Sequence, residues 1–202
     1  MIIEHNGKRP RIHPSAYVAT TATVCGDVVI GEDSRILFGT SIIAEGGKIE
    51  IGHHCIVLEN GVIRSTFRFS TSLGNHILVG PNAHVVGCTI EDCVFIATGA
   101  AVFHGSHLGH GSEVRINGIV HLKTELPPNT TVPIGWIAVG QPAEIFPPDA
   151  HEKIWATQKP LNFPKSVYGI DRPPEGESIM PEITRRYSHM LDSHRDDTIL
   201  KG

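Results

Sequence analysis

Thirteen histidines in 202 residues ask for a chemical reading before anything else does. His84 stands between Pro81 and Val86, with Glu59 and Asn82 close to it in the repeat described below. A neutral imidazole titrating near neutrality can ligate a divalent metal or move a proton, so His84, Glu59 and Asn82 form one candidate site for metal or acid–base chemistry. Arg64 opens the segment 64–72. Its planar fork suits a carboxylate or a phosphate, and pairing with Glu59 or Glu45 is the structural alternative. His54, His76 and Cys93 recur at one repeat position and stack into a column. Neighbours in that column could share zinc, although its ends lie about 10 Å apart at strand spacing, too far for one ion. His104, His107 and His110 would share a helix face, but on a β-helix they fall on different strands and corners. His121 follows Val120 and is given no role. No Gly-x-Ser-x-Gly elbow occurs, and none of the four cysteines has an activating partner in sequence.

These residues are positioned by a six-residue lattice. Ile12, Val18, Val24, Ile30, Ile36 and Ile42 open it, and Ile90, Ile96, Val102, Leu108, Val114, Val120, Leu126 and Val132 continue it. Two offset runs fill the gap, Ile51–Val57–Ile63 and Leu73–Val79–Val85. A repeat of this kind decides the fold before any local signal does. Each unit is a short strand and a corner, and three units close a triangular turn. The expected fold is a left-handed parallel β-helix of about seven triangular coils, its inward side chains stacked as ladders. An antiparallel sandwich would need period-two alternation and hairpin signals, which are scarce here. Segment 64–72 breaks the lattice and is expected to protrude, as loops with binding contacts do.

The lattice ends near Ala138, so the β-helix domain is assigned to 1–142 and a helical, Pro-rich extension to 143–202. Asp149 and Glu152 have capping-box spacing for a helix over roughly 150–158. Residues 160–177 read as extended. Ser178 is expected to cap a second helix with Pro181 in its first turn, and Ile179, Ile183, Tyr187, Met190 and Leu191 make one apolar face. That stripe needs a partner, and the prism of this subunit or a neighbour is the natural one. The net charge of −4, with 17 basic and 21 acidic residues and no basic run, argues against nucleic acid and against a membrane surface. No apolar run is long enough to span a bilayer. Met1–His5 does not read as a signal peptide, and the cysteines read as reduced thiols of a cytoplasmic protein.

Val79 to Leu108, with Val85-Val86-Gly87-Cys88-Thr89-Ile90 and Ile96-Ala97-Thr98-Gly99-Ala100, resembles the γ-class carbonic anhydrase family, and Val139-Gly140-Gln141-Pro142-Ala143 resembles the closing motif of hexapeptide-repeat proteins. The similarity runs over roughly residues 12–145. It implies a homotrimer with a metal, zinc or another divalent ion, held by three histidines at each subunit interface. The positions matching those ligands are Arg64, Pro81 and Val86, and that of the family's active-site Gln is Leu58. The family's Arg-Gly-Asp segment is absent from Ile42–Gly46, and Ile43-Ala44-Glu45 is more like a small, non-catalytic dynactin subunit. Zinc takes thiolate, imidazole or carboxylate donors. The resemblance thus implies a remodelled interface site, binding a small anion through Arg64 or a metal through His84. In that setting His84 could instead bridge subunits by a hydrogen bond, and Arg64 could pair with Glu59 or Glu45 across them. Two alternatives stand beside this one: a non-catalytic assembly protein, and a hexapeptide-repeat acyltransferase with His76 or His84 as general base.

Overall fold

Residues 1–200 of the computed structural model form a triangular prism of parallel strands with a C-terminal extension along one face. Each of its three faces is a sheet. Two have seven strands, running from Arg11–Ile12 to Glu125–Leu126 and from Tyr17–Val18 to Thr131–Val132. The third, called the long face here, has ten. Its inward ladder is Val24, Ile42, Ile63, Val85, Val102, Val120 and Ala138, paired one to the next in parallel register. Every member is fully buried. Six-residue spacing therefore becomes contact between residues about 18 apart, and the core is one continuous aliphatic column.

The turn count is about eight rather than seven. Ile2–Glu4 forms a strand beneath Thr23–Cys25, with Ile2 beside Val24, and adds a partial coil before the recognisable lattice. Both ends of the long face turn antiparallel: Glu144–Phe146 folds back on Ile137–Val139, and Thr198–Leu200 pairs with Ile2–Glu4. The corners close with left-handed backbone. Asp33, His54, His76 and Cys93 hold positive φ on one corner, and Asn60, Asn82 and Asn117 on another. Asn takes this conformation at small cost, which gives Asn82 a structural reason to be Asn.

The segment after Arg64 protrudes as expected, as a tight turn in which Thr66 and Phe69 exchange backbone hydrogen bonds and Phe67 is 77% exposed at the tip. It sits over the preceding coil's bend, where Gly46, at φ +94°, has no room for a side chain beside Phe67.

The extension departs from expectation in detail. Helix α1 covers His151–Gln158, but Ala150 is its N-cap and no side chain caps it, so the Asp149–Glu152 box does not form. Residues expected to be extended contain a 3₁₀ turn at Lys159–Leu161 and a π turn at Pro164–Tyr168, each allowed by a proline in its first positions, where no N–H is required. Helix α2 spans Met180–Leu191 with Ile179 as N-cap; Ser178 lies one residue outside and its Oγ accepts from the Met180 N–H at 3.2 Å. The apolar stripe is half used. Ile183 and Tyr187 turn toward the prism of the same chain, while Met190 and Leu191 stay exposed.

Replacing Val102 by Asp puts an unpaired carboxylate into the middle of the ladder, at a cost of several kcal/mol. The Val102→Asp chain should lose its cooperative unfolding transition in urea, followed by circular dichroism. A folded, soluble variant would mean that the register is wrong.

Candidate functional site

On the outer surface of the long face, residues one past the inward position align as Ile3, Cys25, Ile43, Arg64 and Val86. One residue before it, Val62, His84 and Ala101 align. Arg64 and His84 thus stand on neighbouring strands facing the same side. The extension crosses in front of them. The Lys123 ammonium donates to Ser166 Oγ at 3.1 Å, and an aromatic series continues from Phe69 through His104, Phe163 and Tyr168 to Tyr187, with centroids 5.6–6.3 Å apart. Between prism and extension lies a cavity of about 890 Å³.

One wall is a polar junction. The Arg64 guanidinium pairs with Glu45 and donates to Tyr187 Oη at 2.9 Å; the Tyr187 hydroxyl donates to Glu45 Oε2 at 3.1 Å. Glu45 is therefore the Arg64 partner, as one alternative expected, but inside one chain. The junction fastens α2 to the prism. Four arginines line the cavity: Arg64, Arg68, Arg185 and Arg186. The last two share Glu182, leaving Glu45 and Glu182 as the opposing carboxylates and an excess of positive charge. Apolar surface comes from Val86, Phe103, Phe163, Ile170 and Ile183.

Three polar atoms on this lining are buried without a partner: Arg64 Nε, Thr66 Oγ1 and His104 Nδ1. Such groups cost about 1–3 kcal/mol each when left unsatisfied. Burial, and then the Arg64 charge, lowers the pKa of His84. Burial, followed by the charges of His84 and Arg64, takes His104 down to about 4, and burial alone lowers His121. His84 and His104 are neutral at pH 7 and offer both a donor and an acceptor.

The sequence candidates divide. His84 and Arg64 meet in the cavity. Glu59 and Asn82 do not line it; both sit on exposed corners, Asn82 as the left-handed residue of its turn. Of the family's three ligand positions, Arg64 and Val86 lie on the lining and Pro81 forms a corner. A guanidinium, a valine and a proline supply no metal donor, so the residues present do not fit a three-histidine centre. His54 and His76 pack edge-to-face with His53 at 5.1 Å, a neighbour the column argument left out. His107 pairs with Glu91 at 2.9 Å while His104 is buried in the cavity, so the triplet is dispersed. Among the described residues, the group that brings three or more metal-ligating side chains within 4.8 Å of one another lies elsewhere, at His5, Cys25, His194 and Asp197. Sequence reasoning missed it, and gave His104, Arg68 and Tyr187 no part in the cavity. The i, i+3 pair His194/Asp197 was its one local signal.

No family profile matches the chain. It is similar to the mitochondrial gamma carbonic anhydrase 1 of Arabidopsis thaliana, with 28% identity over 202 residues, covering 96% of this chain and 71% of that protein. The carbonic anhydrase of Geobacillus kaustophilus is 27% identical over 145 residues, 72% of this chain and 76% of its own length. Among solved structures, a Bacillus cereus protein described as a candidate acetyltransferase superposes with a TM-score of 0.62 at 24% identity, over 82% of this chain and 94% of that one. The UDP-N-acetylglucosamine acyltransferase of Bacteroides fragilis does so at 0.57 and 15% identity, over 95% and 98%. At these identities the structural likenesses establish the fold. No helix among the described residues is long and apolar enough to cross a membrane.

His104 supplies a test of the cavity's electrostatics. Its folded pKa lies below the ordinary value of about 6.5, so between pH 6.5 and 4 the unfolded chain binds more protons. The neutral-His104 contribution is therefore intact above pH 6.5 and is lost as pH falls toward 4, with a slope of up to about 1.4 kcal/mol per pH unit. Urea denaturation at pH 6.5 and 4.5 should show a smaller loss for His104→Phe than for the parent. Equal losses would mean that this imidazole is not held neutral.

Proposed function

We propose that this γ-carbonic-anhydrase-like hexapeptide-repeat protein uses the place of the family's metal site to bind a small organic anion. Arg64 carries the reading: it replaces a metal ligand with a fixed cation and lines a cavity that holds more arginines than carboxylates. A cavity of about 890 Å³ is far larger than bicarbonate needs and lies in the range of ordinary small-molecule sites. The occupant that suits it has one carboxylate and an apolar, preferably aromatic, body. The carboxylate would meet the Arg68 guanidinium, and the body would lie against Phe103, Phe163 and Tyr168. Neutral His84 and His104 stand beside it and would favour an anion further when protonated, so affinity should rise as pH falls toward 4, where His104 takes up its proton.

Carbon dioxide hydration is not part of this reading, because the hydroxide-forming metal would have no ligands at Arg64, Pro81 and Val86. The chain is proposed to be a homotrimer. Tyr17, Phe38, Ile56, Ile116 and Ile134 are exposed on or beside the sheet that begins at Tyr17–Val18, and such apolar surface favours self-association. The prism over 1–142 would supply the interface and the extension over 143–202 the outer wall of each cavity.

Calorimetric titration with benzoate, phenylacetate, acetate and bicarbonate tests the proposal. The two aromatic carboxylates should bind and the two small anions should not. Arg68→Ala should weaken binding by about tenfold or more, the loss of one charge-assisted hydrogen bond. Binding of none of the four, or carbon dioxide hydration by zinc-incubated protein, would overturn it. Light scattering of the purified chain checks the trimer.

A further inference from the structure

The last turns of the chain return to its first strand. Asp197 is the hub: Oδ1 accepts from His5 Nδ1 at 2.6 Å and Oδ2 from His194 Nδ1 at 2.8 Å, while Cys25 Sγ lies 3.9 Å from Oδ2. The two imidazoles stack at 4.3 Å and 24°, presenting the same nitrogen to the same place. His5 is 4% exposed and Cys25 is 3% exposed. His5 is fixed by a two-residue turn in which Asn6 and Gly7 both take positive φ and His5 and Lys8 exchange backbone hydrogen bonds. Cys25 ends the neighbouring strand, in the outer column that leads two coils further to Arg64. His194 and Asp197 follow α2, on the approach to the strand that pairs with Ile2–Glu4.

Hydrogen bonding alone accounts for the two histidines and the carboxylate. It does not account for Cys25, whose thiol at 3.9 Å is at most a weak donor, yet stands where a fourth ligand would. Two imidazoles, a thiolate and a carboxylate match the donor preferences of zinc. Ligand atoms on one tetrahedral ion lie about 3.3–3.8 Å apart, given bonds of about 2.0–2.3 Å. The four donors here already lie within 4.8 Å of one another. Two groups flank the rings: His194 Nε2 faces Glu45 Oε1 at 3.7 Å, and Asn6 Nδ2 donates to His5 Nε2 at 2.9 Å. With Nδ1 on a metal, each Nε2 carries the proton: that of His194 points at Glu45, and that of His5 needs the Asn6 amide turned to present its Oδ1.

We infer that His5, Cys25, His194 and Asp197 form a binding site for a zinc-class divalent cation that ties the end of the chain to its first coil. Binding exchanges two N–H···O contacts for coordination. The imidazole protons move to Nε2, and the thiol proton leaves to solvent, so one proton is released per ion bound. The site is separate from the family's three-histidine position, whose donors are absent, and it does not depend on the anion reading.

The test uses the whole chain without a polyhistidine tag, incubated with cobalt(II) as the probe and passed through gel filtration. About one cobalt per chain should remain, with the near-ultraviolet charge-transfer band of a thiolate ligand. Cys25→Ser should abolish the band, and Asp197→Asn should lower affinity at least tenfold, while His84→Ala and Arg68→Ala leave both unchanged. No retained cobalt, cobalt without a thiolate band in the parent protein, or a site lost in His84→Ala would each overturn the proposal. The parent spectrum decides the matter even if Asp197→Asn does not fold. The Arg68→Ala control separates the outcome from the anion titration, since that variant can lose the anion and keep the cobalt.

Discussion

Everything in this molecule hangs on the parallel pairing of each strand with the one about eighteen residues later. That pairing sets the inward ladder of Val24, Ile42, Ile63, Val85, Val102 and Val120 in van der Waals contact. It also satisfies the backbone groups of strands only two to four residues long, which would have no stability as isolated pairs. Because each coil is nearly congruent with the next, side chains leave the surface in straight columns. A residue's chemistry is then decided by its column and level. Arg64, Val86 and Cys25 share a column and differ only in level, and the C-terminal extension decides which of them becomes a cavity wall and which a terminal clasp.

That regularity explains what could be read from the sequence. The ladder, the corners and the protruding turn after Arg64 are local consequences of a six-residue period, and each is found where the period puts it. The first strand was missed because Ile2–Glu4 is one strand of an incomplete coil and gives the period nothing to repeat. The helix caps were misplaced by one residue each, because the N-caps are Ala150 and Ile179, neither with a side-chain cap bond, a boundary that residue type alone does not fix. Glu45 was legible as a partner for Arg64, but not Tyr187, which comes from 123 residues further along the chain. The His5–Asp197 contact spans 192 residues, and no pattern in the sequence announces it.

The cavity and the terminal cluster are linked through one carboxylate. Glu45 holds Arg64 and Tyr187 on one side and faces His194 on the other. It is only 14% exposed, so its charge is weakly screened and each neighbour feels it. A change in what His194 contacts therefore reaches Arg64 through two polar contacts and no apolar relay, and the wall of the cavity is electrostatically continuous with the clasp.

The two antiparallel strands at the ends of the long face have a consequence for the molecule's size. A stack of parallel coils has no intrinsic stopping point: its last strand offers the same unpaired N–H and C=O groups to a second molecule that each inner strand offers to the next. Glu144–Phe146 occupies those groups at one end and Thr198–Leu200 at the other, each running in the direction that a further coil could not follow. Along this face each end coil is covered by a strand of opposite direction, and Thr198–Leu200 is one of the two covers. Loss of Thr198–Leu200 would bare the Ile2–Glu4 edge, the kind of unpaired edge on which strands of a second molecule can add.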